Sequence, residues 1–493
     1  MSASHNQGRS KLIAPGTLIS LLQKGLHYAS IEHHLNEDGS EKECSRPFSL
    51  LEPHMCERAG PGRPLTPRVI DPLPKKVEKK RINNKEERIA NKEMAKKRKK
   101  EQFEDGKTEM NFISHESVMQ LKGHSSEVIT CAWRENGNDL LASGSGDGTA
   151  RIWQIDGEVQ VLVHASGEGA RDVTTLDWSP KDSFLLATGC YDGRVRIWSD
   201  QDEGRWKLKS EGIPCHEGPI FQLQWSPSGK RLVSVGVEPS IALWELDPML
   251  VRKGSSPVEM TAHALDVAWS PDEQYFAVCT TDRMVLIFDG SSSSEFLSPL
   301  ESLEGHSDEV NAISWKKLDN DSFLLLSCSD DHTARIWQVG SDKGLILEGH
   351  AREIYTAKWQ PNSLLVVATA SFDATVRLWR ISQDIDAVEC IAVLKQHTQP
   401  VYAIDFSPDG QLLASGGLDG AVHIWSVPDG RLLLSWPALG DKKEGGNTKG
   451  IFELCWSSDG RKIAASTSSG LLLVFDLSIL AAPFSERQVV KAD

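Results

Sequence analysis

His124, Ser143 and Asp147 fall within one short stretch of this chain, and together they are the residue types of a nucleophile, a base and an orienting acid. A hydroxyl activated by an imidazole that a carboxylate holds in place would attack an acyl carbon. The trio is not unique, however. His306 goes with Ser327 and Asp331, His350 with Thr369 and Asp373, and His397 with Ser415 and Asp419, while Thr188 and Asp192 form a partial set. Each set closes on an indole, at Trp153, Trp198, Trp337, Trp379 or Trp425. A hydrolase needs one relay beside an oxyanion hole, and no candidate for that hole accompanies any copy. A repeated structural chain fits better: indole N–H to hydroxyl, hydroxyl to imidazole, imidazole to carboxylate. His124, Ser143, Asp147 and Trp153 are therefore read as a structural tetrad with no catalytic role. No phosphate loop, metal-binding helix or nucleophile elbow occurs elsewhere, so neither an enzyme nor a cofactor is expected. The glycine-rich run Gly144–Gly148 falls in a turn of the repeat.

The elements that position these residues form a repeat. Leu140–Trp153 (LLASGSGDGTARIW) returns as Leu185–Trp198, Leu324–Trp337, Val366–Trp379 and Leu412–Trp425, with weaker copies ending at Trp244, Phe288 and Phe475. The closing aromatics lie 45, 46, 44, 49, 42, 46 and 50 residues apart. A period of this size with alternating apolar strands and Asp-Gly turns predicts four-stranded blades of an all-β propeller. Eight copies predict eight blades. Ser117–Leu121 (SVMQL) is expected to complete the last blade and so remove a free sheet edge. Three copies depart from the tetrad and are expected to be less rigid. The third has His216, Ser234 and Trp244 with Glu238 in place of Asp; the fourth keeps His263 and Asp282 but has Val278 and Phe288; the eighth has Ala465, Ser469 and Phe475 and no His.

The net charge of −15 is unevenly spread. Residues 1–109 hold 22 Lys and Arg against 16 Asp and Glu, so the remainder is strongly acidic. An acidic propeller favours basic partners and disfavours bare nucleic acid, so no direct sequence-specific nucleic-acid partner is expected. The nine cysteines are scattered without a CxxC pair, which supports neither a disulfide framework nor a zinc ribbon. Cys131 and Cys455 read as small apolar core residues. His33, His34, Cys44, His54 and Cys56 fit no common zinc spacing, and no metal ligands are assigned. No apolar run of membrane-spanning length and no signal peptide is found, so an intracellular, membrane-free protein is expected.

Four zones follow. Residues 1–57 hold a helical segment with Leu18, Leu21, Leu22, Leu26 and Ala29 on one stripe, expected to self-associate or bind a partner. Residues 58–110 form a linker, first rich in Pro and then basic, with too little apolar content to fold alone. Within it, Lys96, Lys97, Arg98, Lys99 and Lys100 read as a nuclear localisation signal. Residues 111–480 are the propeller and 481–493 a tail.

The binding face is legible by offset from the inner-strand aromatics. Three positions per blade, 24 in all, contain no Lys or Arg. Tyr191, Phe221, Tyr355, Phe372, Tyr402 and Phe452 supply aromatic anchors, and Glu127, Asp172, Glu309, Asp330 and Glu353 supply negative charge. A basic peptide such as a histone tail is the expected ligand, held by cation–π contacts and carboxylate pairing. Some of the aromatics are expected simply to pack the channel mouth.

The tetrad-bearing repeats resemble the WD-repeat family. Leu12–Ser40 (LIAPGTLISLLQKGLHYASIEHHLNEDGS), Arg46–Glu52 (RPFSLLE), Leu121–Trp153 and Asp172–Trp198 are similar to the transducin β-like corepressor subunits within it. The likeness spans most of the chain and is weakest in the basic linker. It implies a nuclear scaffold of histone-deacetylase corepressor complexes. Its N-terminal helices would oligomerise and grip a SANT-domain corepressor, its propeller would engage histones, and ubiquitin-ligase subunits are further partners of some members. The family's LisH motif would precede Leu12, where only eleven residues stand, so a late start or the loss of that element is expected. The alternatives are a substrate receptor of a ubiquitin ligase and a cytoplasmic assembly scaffold; the localisation signal speaks against the second.

Overall fold

The computed structural model describes residues 111–112 and 118–478 apart from loop segments, the longest of which are 165–171, 254–261 and 437–449. The stripe at Leu18, Leu21, Leu22 and Leu26 and the basic run Lys96–Lys100 lie outside the described residues, as does Glu238.

The described chain is all β and forms eight sheets, seven of them wholly antiparallel. The first blade is typical. Val128–Trp133 is its innermost strand, followed outward by Leu140–Ser145, Thr149–Gln154 and Val159–Val163. Each inner strand lies beside the inner strand of the next blade, and Ile451–Trp456 of the eighth lies beside Val128–Trp133 of the first, so the ring is closed.

Burial explains the strand sequences. The second strand of a blade is covered on both faces by neighbouring blades and reads as a continuous run of apolar and small residues, as in Leu185–Cys190 and Val366–Ser371, which are buried throughout. Where the next blade comes closest there is room only for a hydrogen. A Cβ on Gly144 would sit 2.8 Å from Val173 Cγ1, and one on Gly416 would sit 2.5 Å from Ile451 Cγ2. The inner-strand indoles join the blades. Trp178, Trp269, Trp315, Trp359 and Trp456 each donate Nε1–H to a carbonyl of the preceding blade, at 3.0 or 3.1 Å.

Closure follows the sequence expectation. Val118–Leu121 pairs antiparallel with Leu472–Asp476, Val118 opposite Phe475 and Leu121 opposite Leu472, and becomes the outer strand of the eighth blade. Asn111–Phe112 adds a fifth strand, parallel, to the outer edge of the seventh blade, a pairing that two residues of sequence did not announce. At the inner end of the same seam Cys131 Sγ and Cys455 Sγ approach to 3.8 Å as free thiols. Contact with Cys455 and burial push the Cys131 thiol well up, which keeps it protonated and core-like.

Candidate peptide-binding face

The tetrads come first, because they fix the turns that carry the face. In the first blade Trp153 Nε1–H donates to Ser143 Oγ at 2.8 Å, Ser143 Oγ lies 2.8 Å from His124 Nε2, and His124 Nδ1 lies 2.9 Å from Asp147 Oδ2. Asp147 also accepts Ser125 N–H at 3.0 Å and the Thr149 hydroxyl at 2.7 Å. The fifth, sixth and seventh blades repeat the chain through His306, His350 and His397. Burial alone would raise these aspartates. The hydrogen bonds from histidine, hydroxyl and backbone N–H outweigh it and hold Asp147, Asp331 and Asp373 far below the usual carboxylate range, and Asp419 at about 2.

Two tetrad assignments change. His263 is exposed and does not join the fourth blade's interior, because Val278 offers its ring no hydroxyl; its carbonyl instead accepts Thr281 N–H at 3.0 Å. The second blade does have a histidine, His164, whose Nε2 lies 2.8 Å from Thr188 Oγ1. It stands just beyond the last strand of the preceding blade and lacks the Gly-His pair seen before other tetrads, so spacing concealed it. Its blade's aspartate turns to Arg196, with Asp192 Oδ2 2.6 Å from Nη2. Burial and then the neighbouring Arg196 push His164 down to about 3, so it is neutral.

The turns carry the face by one repeated bond. The residue before each Asp, or before its substitute, donates its N–H to the carbonyl of the residue that leads into the inner strand. The pairs are Gly146–Glu127, Tyr191–Asp172, Val237–Pro219, Thr281–His263, Asp330–Glu309, Phe372–Glu353, Leu418–Pro400 and Ser468–Gly450, all at 2.9 or 3.0 Å. The third position of each blade is the residue passed over by a bulge in the inner strand, as with Ile129 between Val128 and Thr130 or Tyr355 between Ile354 and Thr356. A bulge adds one unpaired residue and turns its side chain out of the pleat. All eight inner strands have one there. The 24 positions are thus one rim.

Within that rim the structure sorts the expected contacts. Glu127, Tyr191, Phe221, Glu309, Asp330, Glu353, Tyr355 and Phe372 are half-buried and reach the surface. Asp172, Tyr402 and Phe452 are 2 %, 8 % and 7 % exposed, so they support the rim from below instead of meeting a ligand. Neighbouring blades cover them, which no offset within a single repeat reveals. Burial pushes the Tyr402 phenol up to about 12. Tyr355, Phe372 and Tyr402 form a triangle: Tyr355 stacks on Phe372 with centroids 6.1 Å apart, and Tyr402 meets both edge-on at 5.1 and 5.2 Å. Asp330 is already engaged by the Asn311 amide, and Glu353 Oε2 stands 3.5 Å from Arg352 Nε, a cation one residue outside the expected positions.

Acidity continues inward along the inner strands. Asp177 Oδ2 accepts Trp225 N–H at 2.7 Å, Asp266 Oδ2 accepts Ile313 N–H at 3.0 Å, Asp405 Oδ2 accepts Trp456 N–H at 2.9 Å, and Glu453 Oε2 accepts Cys131 N–H at 3.0 Å. Each carboxylate staples its blade to the next. Lys358 answers one of them, with Nζ 2.9 Å from Asp405 Oδ1. Sequence reasoning missed this set, although its signal is a polar residue alternating with the core residues of an inner strand. Burial pushes Asp177 up to about 7 and Asp266 to about 6, against the pull of their backbone donors. A carboxyl raised in this way binds its proton more tightly folded than unfolded. Its stabilising contribution therefore declines as pH climbs from about 4, the unfolded value, to the folded one. Asp177→Asn keeps the acceptor for Trp225 and removes the charge. At pH 8 it is expected to raise the melting temperature by about 1–2 °C and to flatten the wild-type decline between pH 5.5 and 8; scanning calorimetry at both pH values checks this.

The fold and rim define a WD-repeat propeller. The "WD domain, G-beta repeat" family matches residues 115–154, 159–199, 207–245, 254–289, 297–338, 342–380 and 388–426. The F-box-like/WD repeat-containing protein TBL1Y of Homo sapiens is 36 % identical over 519 residues, covering 94 % of this chain and 92 % of that protein. The WD40 repeat-containing protein HOS15 of Arabidopsis thaliana is 35 % identical over 402 residues, covering 75 % of this chain and 59 % of that protein. Among solved structures, the C-terminal WD40 domain of Sif2 superposes with a TM-score of 0.60 at 23 % identity, over 73 % of this chain and 98 % of that one. The chain belongs to the transducin β-like corepressor-subunit family of WD-repeat proteins.

Proposed function

We propose that this protein is a non-catalytic nuclear scaffold of a histone-deacetylase corepressor complex whose propeller rim captures basic, histone-tail-like peptides. The observation that carries the peptide reading is the stacked pair Tyr355 and Phe372, backed edge-on by the buried Tyr402, on the same rim as the half-buried carboxylates Glu309 and Glu353. Aromatic faces attract ammonium and guanidinium groups, and carboxylates that already lie partly out of water pair with them at a smaller further desolvation cost. The scaffold reading is supported by the family and by a surface built for docking on a ring of structural tetrads. On the same reading, Lys96–Lys100 directs the chain to the nucleus, and the Leu18–Leu26 stripe tethers it to a SANT-domain corepressor or to a second copy.

Glu309→Lys combined with Glu353→Lys is expected to weaken an unmodified Lys/Arg-rich histone-tail peptide at least about a hundredfold, since like charges in a contact cost several kcal/mol. Isothermal titration measures it, and unchanged affinity refutes the assignment. The words "F-box-like" in the relatives' name favour one second reading, a substrate receptor of a ubiquitin ligase. Affinity purification from nuclear extract separates the two: a deacetylase with a SANT-domain protein supports the first, and cullin-type subunits alone support the second.

A further inference from the structure

The seventh blade departs from its sister blades at one spot. Two residues before the closing indole, the first, fifth and sixth blades carry Arg151, Arg335 and Arg377, each lying 5.7–5.9 Å over its own Trp. These guanidinium groups also cover the glycine before the tetrad histidine, so a Cβ on Gly123, Gly305 or Gly349 would collide with them. The seventh blade has His423 in place of the arginine and Gln396 in place of the glycine. The hydroxyls of Thr149, Thr333 and Thr375, which donate to the tetrad aspartate at 2.6–2.7 Å, give way to Ala421. The His–Asp contact loosens as well. His397 Nδ1 lies 3.1 Å from both oxygens of Asp419, against a single contact of 2.8 or 2.9 Å in the other three.

These changes surround one ring nitrogen. His423 is 3 % exposed, and Ser435 Oγ lies 2.9 Å from its Nδ1. Its Nε2 has no hydrogen-bond partner among the described residues, and its ring lies against that of His397, with centroids 4.4 Å apart. A buried polar atom left in this state is destabilising. An Nδ1–H that donates to Ser435 places the lone pair on Nε2, and a hydrogen bond on the far nitrogen is the usual support of a metal-bound imidazole. One nitrogen from each histidine and one oxygen of Asp419 lie within 4.8 Å of one another.

We propose that His397, Asp419 and His423 bind a divalent transition-metal ion of the zinc class, with water as the fourth ligand. Two imidazole nitrogens and one carboxylate oxygen are a donor set this class accepts. Ligands about 2 Å from a tetrahedral ion stand about 3.3 Å apart, so the three atoms draw together on binding. His397 offers Nδ1 only with its proton on Nε2. The proton therefore moves to the other nitrogen of the ring, Nε2–H donates to Ser415 Oγ, and the ion replaces the Nδ1 proton as the link to Asp419. Bound metal and the tetrad's own hydrogen-bond direction are alternatives in this blade, where the arginine, threonine and glycine of the first, fifth and sixth blades are replaced.

The test is the full chain, stripped with chelator, reloaded by dialysis against zinc sulfate and assayed by plasma mass spectrometry. Because the chain holds 15 His and 9 Cys, the reading is the difference between wild type and variant. His423→Gln is expected to carry one zinc equivalent fewer. It should also lose the wild-type rise in melting temperature, about 3 °C at zinc a hundredfold above its dissociation constant. Gln396→Gly with His423→Arg restores the first blade's glycine and arginine and must show the same loss. Equal zinc content and equal shifts in wild type and variants mean an adventitious ion only and overturn the proposal. Anomalous diffraction at the zinc edge from wild-type crystals needs no variant: a peak between His423 and Asp419 supports the site, and peaks confined to other places overturn it.

Discussion

A chain that begins at Gly123 is expected to lose its cooperative melt near the wild-type temperature and to associate, whereas a chain that begins at Ser117 keeps both its melt and its solubility. The difference is the strand Val118–Leu121, which supplies the outer edge of the eighth blade. Its removal exposes the surface that buried Val118, worth about 2 kcal/mol, and several net backbone hydrogen bonds of about 1 kcal/mol each. About 4–6 kcal/mol is a large part of the stability of an ordinary domain, typically about 5–15 kcal/mol. The loss also leaves Leu472–Asp476 as an uncovered edge, a template for pairing with another chain. Denaturant melts read by tryptophan fluorescence, with light scattering alongside, measure both effects. Equal midpoints for the two chains would show that the eighth blade needs no closing strand.

The second large effect is His306→Ala. It removes the centre of the fifth tetrad, leaving Asp331 without its imidazole and Ser327 with Trp337 as its remaining tetrad partner. The site is buried, so the expected cost is about 3–4 kcal/mol at pH 7. His263→Ala, at an exposed histidine that sequence alone would rank beside it, is expected to cost less than about 0.5 kcal/mol. The tetrad variant also changes the acid limb. Because Asp331 titrates far below its unfolded value, its stabilising contribution is full above about pH 4 and disappears as the pH falls toward the folded value. Without His306 that contribution shrinks, and the variant should lose less stability than wild type between pH 4 and pH 2. Equal costs for the two histidines would remove the structural reading of the tetrad.

Legibility in the sequence followed the range of the interaction. Blades, turns and the closing strand were readable because each repeats or pairs in a fixed pattern; Leu140–Trp153 and its copies carry them openly. The rim was readable by offset because one bond per blade holds it in register. What depends on the adjoining blade was not. His164 serves the blade after the one whose last strand it follows, Tyr402 and Phe452 are covered by neighbours, and Asp177, Asp266 and Glu453 staple one blade to the next. His423 looks like an ordinary polar residue of a strand until the missing arginine of its sister blades is noticed.

The partnership of Val118 with Phe475 also sets a timetable for the nascent chain. At about 5–20 residues per second, on the order of 20–70 s separates the emergence of those two residues from the ribosome. Throughout that interval Val118–Leu121 lacks its partner strand, while the blades made after it stack one upon another. The arc of blades therefore stays open until Leu472–Asp476 has been made and can pair with Val118–Leu121. A chaperone that shields Val118–Leu121 during synthesis would guard the strand that, among the described residues, waits longest for the one it pairs with.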